Sequence, residues 1–120
     1  MILIDTSVWI DHLHDGNPKL ESLLDEGDVV CHPFIIGELA CGNVRNRTQI
    51  LAFVRSLPQA GVAGQDEVIS LIGAHRLMGM GLGFIDVHLL ASARLTGTPL
   101  WTRDLQLKKA AAKLDILFPY

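Results

Sequence analysis

Cysteine is scarce: Cys31 and Cys41 are too few and too poorly spaced for a disulfide framework or a zinc site. No apolar run approaches the roughly 18 to 20 residues needed to cross a bilayer. The N-terminus lacks the basic region and small-residue cleavage site of a signal peptide. Positive charge is in deficit as well, with 10 Lys and Arg against 13 Asp and Glu and a formal net charge of -3. That balance excludes a protein that holds nucleic acid by general attraction, because such affinity comes from neutralised phosphates. Any nucleic-acid contact must be local or metal-mediated. Internal repeats, low-complexity tracts and linkers are missing too, so the 120 residues read as one domain, 1–120. These absences point to a chain of the reducing cytoplasm with no membrane role.

What is abundant is apolar character, at 49% of residues. A domain this small has little interior in which to hide it, so a partner is expected to cover part of the surface, as an oligomer such as a homodimer or as a complex.

The chain opens with "MILIDTSVWI". Ile2, Leu3 and Ile4 read as a short strand buried on both faces, and Val8, Trp9, Ile10 and Leu13 recur at helical spacing. Asp5 falls between the two. A breaker cluster at Asp15 to Pro18 leads into a second helix carrying Leu20, Leu23 and Leu24, which is expected to form a hairpin with the first. "DVVCH" reads as a strand, "FIIGELACG" and "RNRTQILAFVRSL" as helices, "QAGVAG" as a weak third strand, and "QDEVISLIGAHRLMGMGL" as a helix frayed by glycines. The glycines of "GMGLG" follow a helix rather than a strand and fit no phosphate-binding fingerprint. The last third alternates again: a helix from about Asp86, a strand "TPLWT", a helix from about Leu105 and a strand "DILF". Strands separated by helices predict an α/β fold with a central, mainly parallel sheet of four to five short strands.

Four acids occupy unusual places in this pattern. Asp5 and Asp104 each follow a strand, at the edge where open α/β sheets build their sites. Glu38 lies inside an apolar helix, and Asp86 begins another. Each also has an ordinary reading: Asp5 and Asp86 as helix-capping or first-turn acids, Glu38 as a solvated helical residue. Carboxylates gathered in one pocket repel one another unless a cation shares it, and oxygen-only ligands suit a hard ion, Mg²⁺ or Mn²⁺. His12 and His14, two residues apart, do not share a helix face and read as surface histidines. His88 could stand near the acids but reads more readily as a packed imidazole.

The segments "MILIDTSVWID", "GELACG" and "GFIDVHLLASARLTGTPLWTRD", in that order and at familiar intervals, resemble the PIN-domain family, and within it the VapC-type toxin ribonucleases. The resemblance covers essentially the whole chain. It implies an α/β/α sandwich with helices on both faces of the sheet, Mg²⁺ or Mn²⁺ dependence, and RNA cleavage restrained by a cognate VapB-type antitoxin. Carried over position by position, it makes Asp5, Glu38, Asp86 and Asp104 the catalytic, metal-binding quartet, and Thr6, Ser7 and Thr102 supporting hydroxyls. A phosphatase of the haloacid-dehalogenase type would want an acid where Ser7 stands, and a response-regulator receiver would want paired acids after the first strand. A PIN nuclease without an antitoxin, or a non-catalytic PIN module, is the remaining alternative; the second would be marked by a lost acid, and all four are present.

Arg45, Arg47 and Arg103 are the candidates for RNA contact, with solvated surface arginines as the ordinary reading. The first two helices carry more large apolar residues than one buried stripe requires, so some of Trp9, Leu13, Leu20 and Leu24 are expected to line a groove for an amphipathic antitoxin helix.

Overall fold

The computed structural model describes residues 1–120. Its elements run β1 (Ile2–Ile4), α1 (Thr6–Asp15), α2 (Pro18–Asp25), β2 (Val29–Val30), α3 (Pro33–Cys41), α4 (Arg47–Ser56), α5 (Gln65–Ala74), α6 (Phe84–Thr96), β3 (Leu100–Trp101) and α7 (Leu105–Lys113). The sheet is parallel, in the order β2-β1-β3, with Leu3 opposite both Val30 and Leu100. Leu3, Ile4 and Leu100 are fully buried, as a strand covered on both faces demands.

Three strands form rather than four to five. The two outer segments approach the sheet in parallel but pair through one residue each, Gln59 beside Cys31 and Leu117 beside Leu100. The apolar run "DILF" has the composition of a strand. A positive φ of 57° at Asp115, its first residue, turns the chain there, and the run adds one bridge, at Leu117. The helix expected from about Asp86 begins two residues earlier, at Phe84, behind Gly83.

Local chemistry explains most helix starts. Pro18 and Pro33 occupy first-turn positions, where their missing N–H costs nothing. Asn17 caps α2 by accepting from Leu20 N at 3.0 Å, and Asp104 caps α7 by accepting from Gln106 N and Leu107 N. α6 ends at Gly97 with φ 65°, a left-handed turn that glycine adopts without strain.

One helix is central to the packing. α6 keeps seven consecutive residues buried, Val87 through Ala93, so it has no solvated face over that span. Two of the seven are polar, His88 and Ser92, and the bonds of Ser92 are internal. Ser92 Oγ donates to Gly61 O at 2.7 Å, and His32 Nε2 stands 3.1 Å from the same oxygen. His32 Nδ1 accepts from Phe34 N at 3.0 Å, capping α3. The Nδ1 lone pair is thus in use, so Nε2 carries the proton and donates to Ser92. This relay ties α3, α6 and the segment around Gly61 together. Burial, and then the nearby His88, push the His32 pKa down to about 4.

The expected groove requires a correction. Trp9 and Leu20 are fully buried and belong to the core. Leu13 and Leu24 are half-buried, and only Leu13 lines a cavity, of about 590 Å³, with Ile10, His14, Asn43, Val44 and Arg45. Much of the apolar surplus of the first two helices is therefore interior, and of the four residues Leu13 and Leu24 keep exposed surface.

Candidate active site

The carboxyl end of the sheet carries a linked set of polar groups. Asp5 N donates to Trp101 O at 2.9 Å, which fixes the residue just beyond β1 against β3. The Asp5 side chain is buried, and its Oδ2 accepts from Ser7 Oγ at 2.7 Å and from Thr102 Oγ1 at 2.8 Å. Ser7 Oγ in turn accepts from Arg103 N at 2.9 Å, and Thr102 Oγ1 from Asp104 N at 3.0 Å. Two hydroxyls therefore lock the turn after β3 to the turn after β1.

Glu38 reaches the same edge from α3. Its Oε1 accepts from Thr6 Oγ1 at 2.7 Å. Asp86, in the first turn of α6, accepts from Gly83 N at 2.9 Å through Oδ2. The four acids come from four separate elements, and their electrostatics join them. Burial raises the Glu38 pKa, the Thr6 hydroxyl opposes the rise, and the charges of Asp5 and Asp86 add to it. Burial likewise raises Asp86, its bond from Gly83 opposes, and Asp5 and Asp104 add to the rise. No lysine or arginine pairs with any of the four; the chain's single ion pair joins Arg103 to Asp11 at 3.1 Å.

The hydrogen bonds divide each carboxylate in two. One oxygen is committed to the protein in every case: Asp5 Oδ2, Glu38 Oε1, Asp86 Oδ2 and Asp104 Oδ1. Asp5 Oδ1, Glu38 Oε2, Asp86 Oδ1 and Asp104 Oδ2 have no partner in the protein, and none of these four atoms is a sealed, unsatisfied group. Four uncommitted anionic oxygens without a protein cation are the donor set that a hard divalent ion requires. As the side chains stand, no three of them close into a cage around one point.

The other singled-out residues lie further out. Arg47 Nη2 donates to Ala40 O at 3.1 Å, clasping the start of α4 to α3, and Arg45 lines the cavity beside Leu13. His12 and His14 sit in the last turn of α1. His88 is buried between Phe34 and Phe84, whose rings meet it edge-on at 4.8 and 4.7 Å, and its Nδ1 has no hydrogen-bond partner. Sequence reasoning passed over His32 and Ser92. An "HP" pair before a helix is a visible capping signal, but a bond across 60 positions has none.

A parallel sheet edge bearing four such acids defines a class. The PIN domain family model matches residues 2–113, and the chain belongs to that family. Within it, the chain is 46% identical over 117 residues to Ribonuclease VapC32 of Mycobacterium tuberculosis, covering 97% of this chain and 94% of the relative. Among solved structures it resembles PAE2754 from Pyrobaculum aerophilum (TM-score 0.66, 19% identity, 98% of this chain and 87% of that one). It also resembles FitAcB from Neisseria gonorrhoeae (TM-score 0.65, 19% identity, 98% and 95%). These two likenesses concern the fold.

Proposed function

We infer that the protein is a divalent-metal-dependent ribonuclease of the VapC type. The observation that carries this reading is the set of four uncommitted carboxylate oxygens at one sheet edge, with no cation of the protein to balance them. The 46% identity to a protein named as a ribonuclease, over nearly the whole chain, supports RNA as the substrate. Asp5, Asp86 and Asp104 would hold a Mg²⁺ or Mn²⁺ ion, with Glu38 beside them. When bound, such an ion supplies charge neutralisation at the phosphate and acidifies water.

The chain's own groups prepare that site. Ser7 and Thr102 fix Asp5 by loading one oxygen with two donors, which leaves the other uncommitted. Thr6 does the same for Glu38, and the amide of Gly83 for Asp86. Burial and the neighbouring acids raise the pKa of Glu38 and of Asp86, which eases protonation of either carboxylate when no ion is bound. Restraint by a cognate antitoxin, which the VapC-type resemblance implies, belongs to the same proposal. The residues first placed in its groove narrow to Leu13 and Leu24, since Trp9 and Leu20 are interior.

The test is cleavage of RNA by the purified protein with Mg²⁺ or Mn²⁺, with EDTA, and with Asp5→Asn. Cleavage that needs the ion and Asp5 is expected. Equal cleavage in EDTA, or by the Asp5→Asn protein, overturns the reading.

A further inference from the structure

A second polar feature shares Arg103, the neighbour of Asp104, and is lined by none of the four acids. A cleft of about 840 Å³ lies between α1, α2 and α7, lined by Asp11, Lys19, Trp101, Arg103, Lys108 and Tyr120 among others. Three of these are cations and one is an acid, so the cleft is locally positive in a chain whose formal net charge is -3. Arg103 belongs to both places: its amide donates to Ser7 Oγ, which holds Asp5, while its guanidinium pairs with Asp11 in the cleft. The Arg103 side chain is 58% exposed and Asp11 26%, and Asp11 also accepts from Asn17 Nδ2 at 3.2 Å, so the guanidinium can turn to another anion without leaving Asp11 unpartnered.

The cleft also carries an aromatic wall. Tyr120 is 64% exposed and stacks on Phe118, with ring planes 16° apart at 5.5 Å. Lys19 Nζ stands over the Tyr120 ring, 4.9 Å from its centroid. A cationic groove that ends on an exposed aromatic ring is the composition that single-stranded nucleic acid recognises, charge for the backbone and a flat face for a base.

We propose that this cleft is the track for the single-stranded RNA substrate on one side of the cleaved bond, with Lys19, Arg103 and Lys108 on its phosphates and Tyr120 against a base. The proposal rests on the ribonuclease reading. It also explains how a chain without net positive charge can hold RNA: the positive charge is concentrated where the strand leaves the acids. Lys109, the neighbour of Lys108 on α7, is exposed and does not line the cleft. It serves as the control.

The experiment measures binding of a fluorescent mixed-sequence single-stranded 20-nucleotide RNA in EDTA, where cleavage is off, as a function of salt. The Lys19→Ala, Lys108→Ala double variant should bind more weakly, with the slope of log affinity against log salt shallower by roughly 1.4, about 0.7 for each lost phosphate contact. Lys109→Ala should leave the slope unchanged, and Tyr120→Ala should weaken binding with little change in slope. With Mn²⁺ present, the double variant should cut RNA with a raised KM. It should hydrolyse bis(p-nitrophenyl) phosphate, too small to reach the cleft, at the parental rate. An unchanged slope in the double variant, or an equal loss in Lys109→Ala, overturns the cleft assignment. Failure of the parent to cut RNA while these binding differences persist would overturn the ribonuclease reading and leave the cleft as an RNA-binding site.

Discussion

Thr102 Oγ1 donates to Asp5 Oδ2 at 2.8 Å, joining residues 97 positions apart. The hydroxyl is fully buried and also accepts from Asp104 N, so one atom sets the distance between two of the acids. Thr102→Val keeps the shape and removes the hydroxyl, leaving the Asp104 amide without its acceptor and Asp5 held by Ser7 alone. Mn²⁺ affinity should fall about 10- to 100-fold, the usual loss when a group orienting a ligand is removed. Thr102→Ser should restore most of it. Titration calorimetry checks both, and parental affinity in the valine variant would show that Asp5 is oriented by other means.

Asp5→Asn should lower RNA cleavage by at least about 100-fold, the scale on which lost electrostatic stabilisation of a reacting phosphate is felt. The folded state should survive, because an amide oxygen still accepts from Ser7 and Thr102. Circular dichroism alongside the cleavage assay separates lost chemistry from lost structure.

The acids should oppose folding until an ion joins them. A carboxylate whose folded pKa is raised contributes stability that is present below its unfolded pKa and lost as pH rises through the folded value. Glu38 and Asp86 both behave in this way, through burial and then the neighbouring charges. In EDTA at neutral pH, Glu38→Gln should therefore melt higher than the parent. Added Mn²⁺ should stabilise the parent more than the variant. Equal thermal shifts across a Mn²⁺ titration would remove Glu38 from the site.

His32 has the opposite sign. Its pKa falls from 6.5 to about 4 on folding, so its contribution is complete above pH 6.5 and is lost as pH drops toward 4. The shift corresponds to about 3 kcal/mol, at 1.36 kcal/mol per pH unit. His32→Asn can still cap α3 but does not titrate. Denaturant unfolding between pH 4 and 6.5 should show a flatter stability profile in the variant; an identical profile would mean that other groups set the acid limit.

Ser92→Ala should cost about 1–3 kcal/mol, because it strands the carbonyl of Gly61 and the Nε2–H of His32 inside the protein. Urea unfolding should shift its midpoint without changing its slope.

How legible all this was in the sequence depended on range. Asp5 and Asp104 announced their place because a strand and a helix abut them, and both elements are signalled within ten residues. Asn17 with Pro18, and Asp104 with its helix, carry capping chemistry that needs no tertiary information. The relay from His32 through Ser92 to Gly61 was not legible, since nothing near any of the three names the others. Nor was the cleft, whose cations come from α2, the turn after β3 and α7. The segments "QAGVAG" and "DILF" pair less than their composition predicts for a related reason. Composition shows that a segment suits a strand, whereas pairing depends on how long it runs beside a neighbour. Of Trp9, Leu13, Leu20 and Leu24, the count of apolar residues cannot say which face outward, and the packing buries Trp9 and Leu20 while Leu13 and Leu24 stay half-buried.

The single-residue bridges at Gln59 and Leu117 bear on solubility. A sheet rich in Val, Ile and Leu that ended in long bare strands would offer a template on which other chains could grow, the first step toward aggregation. Here each flank ends almost as soon as it begins. The Gln59 side chain also donates to Val54 O and Leu57 O, tying its segment back onto the end of α4. The protein can thus keep an apolar sheet in its centre, and crowd acids onto one end of it, without exposing a lateral border along which copies would zip together.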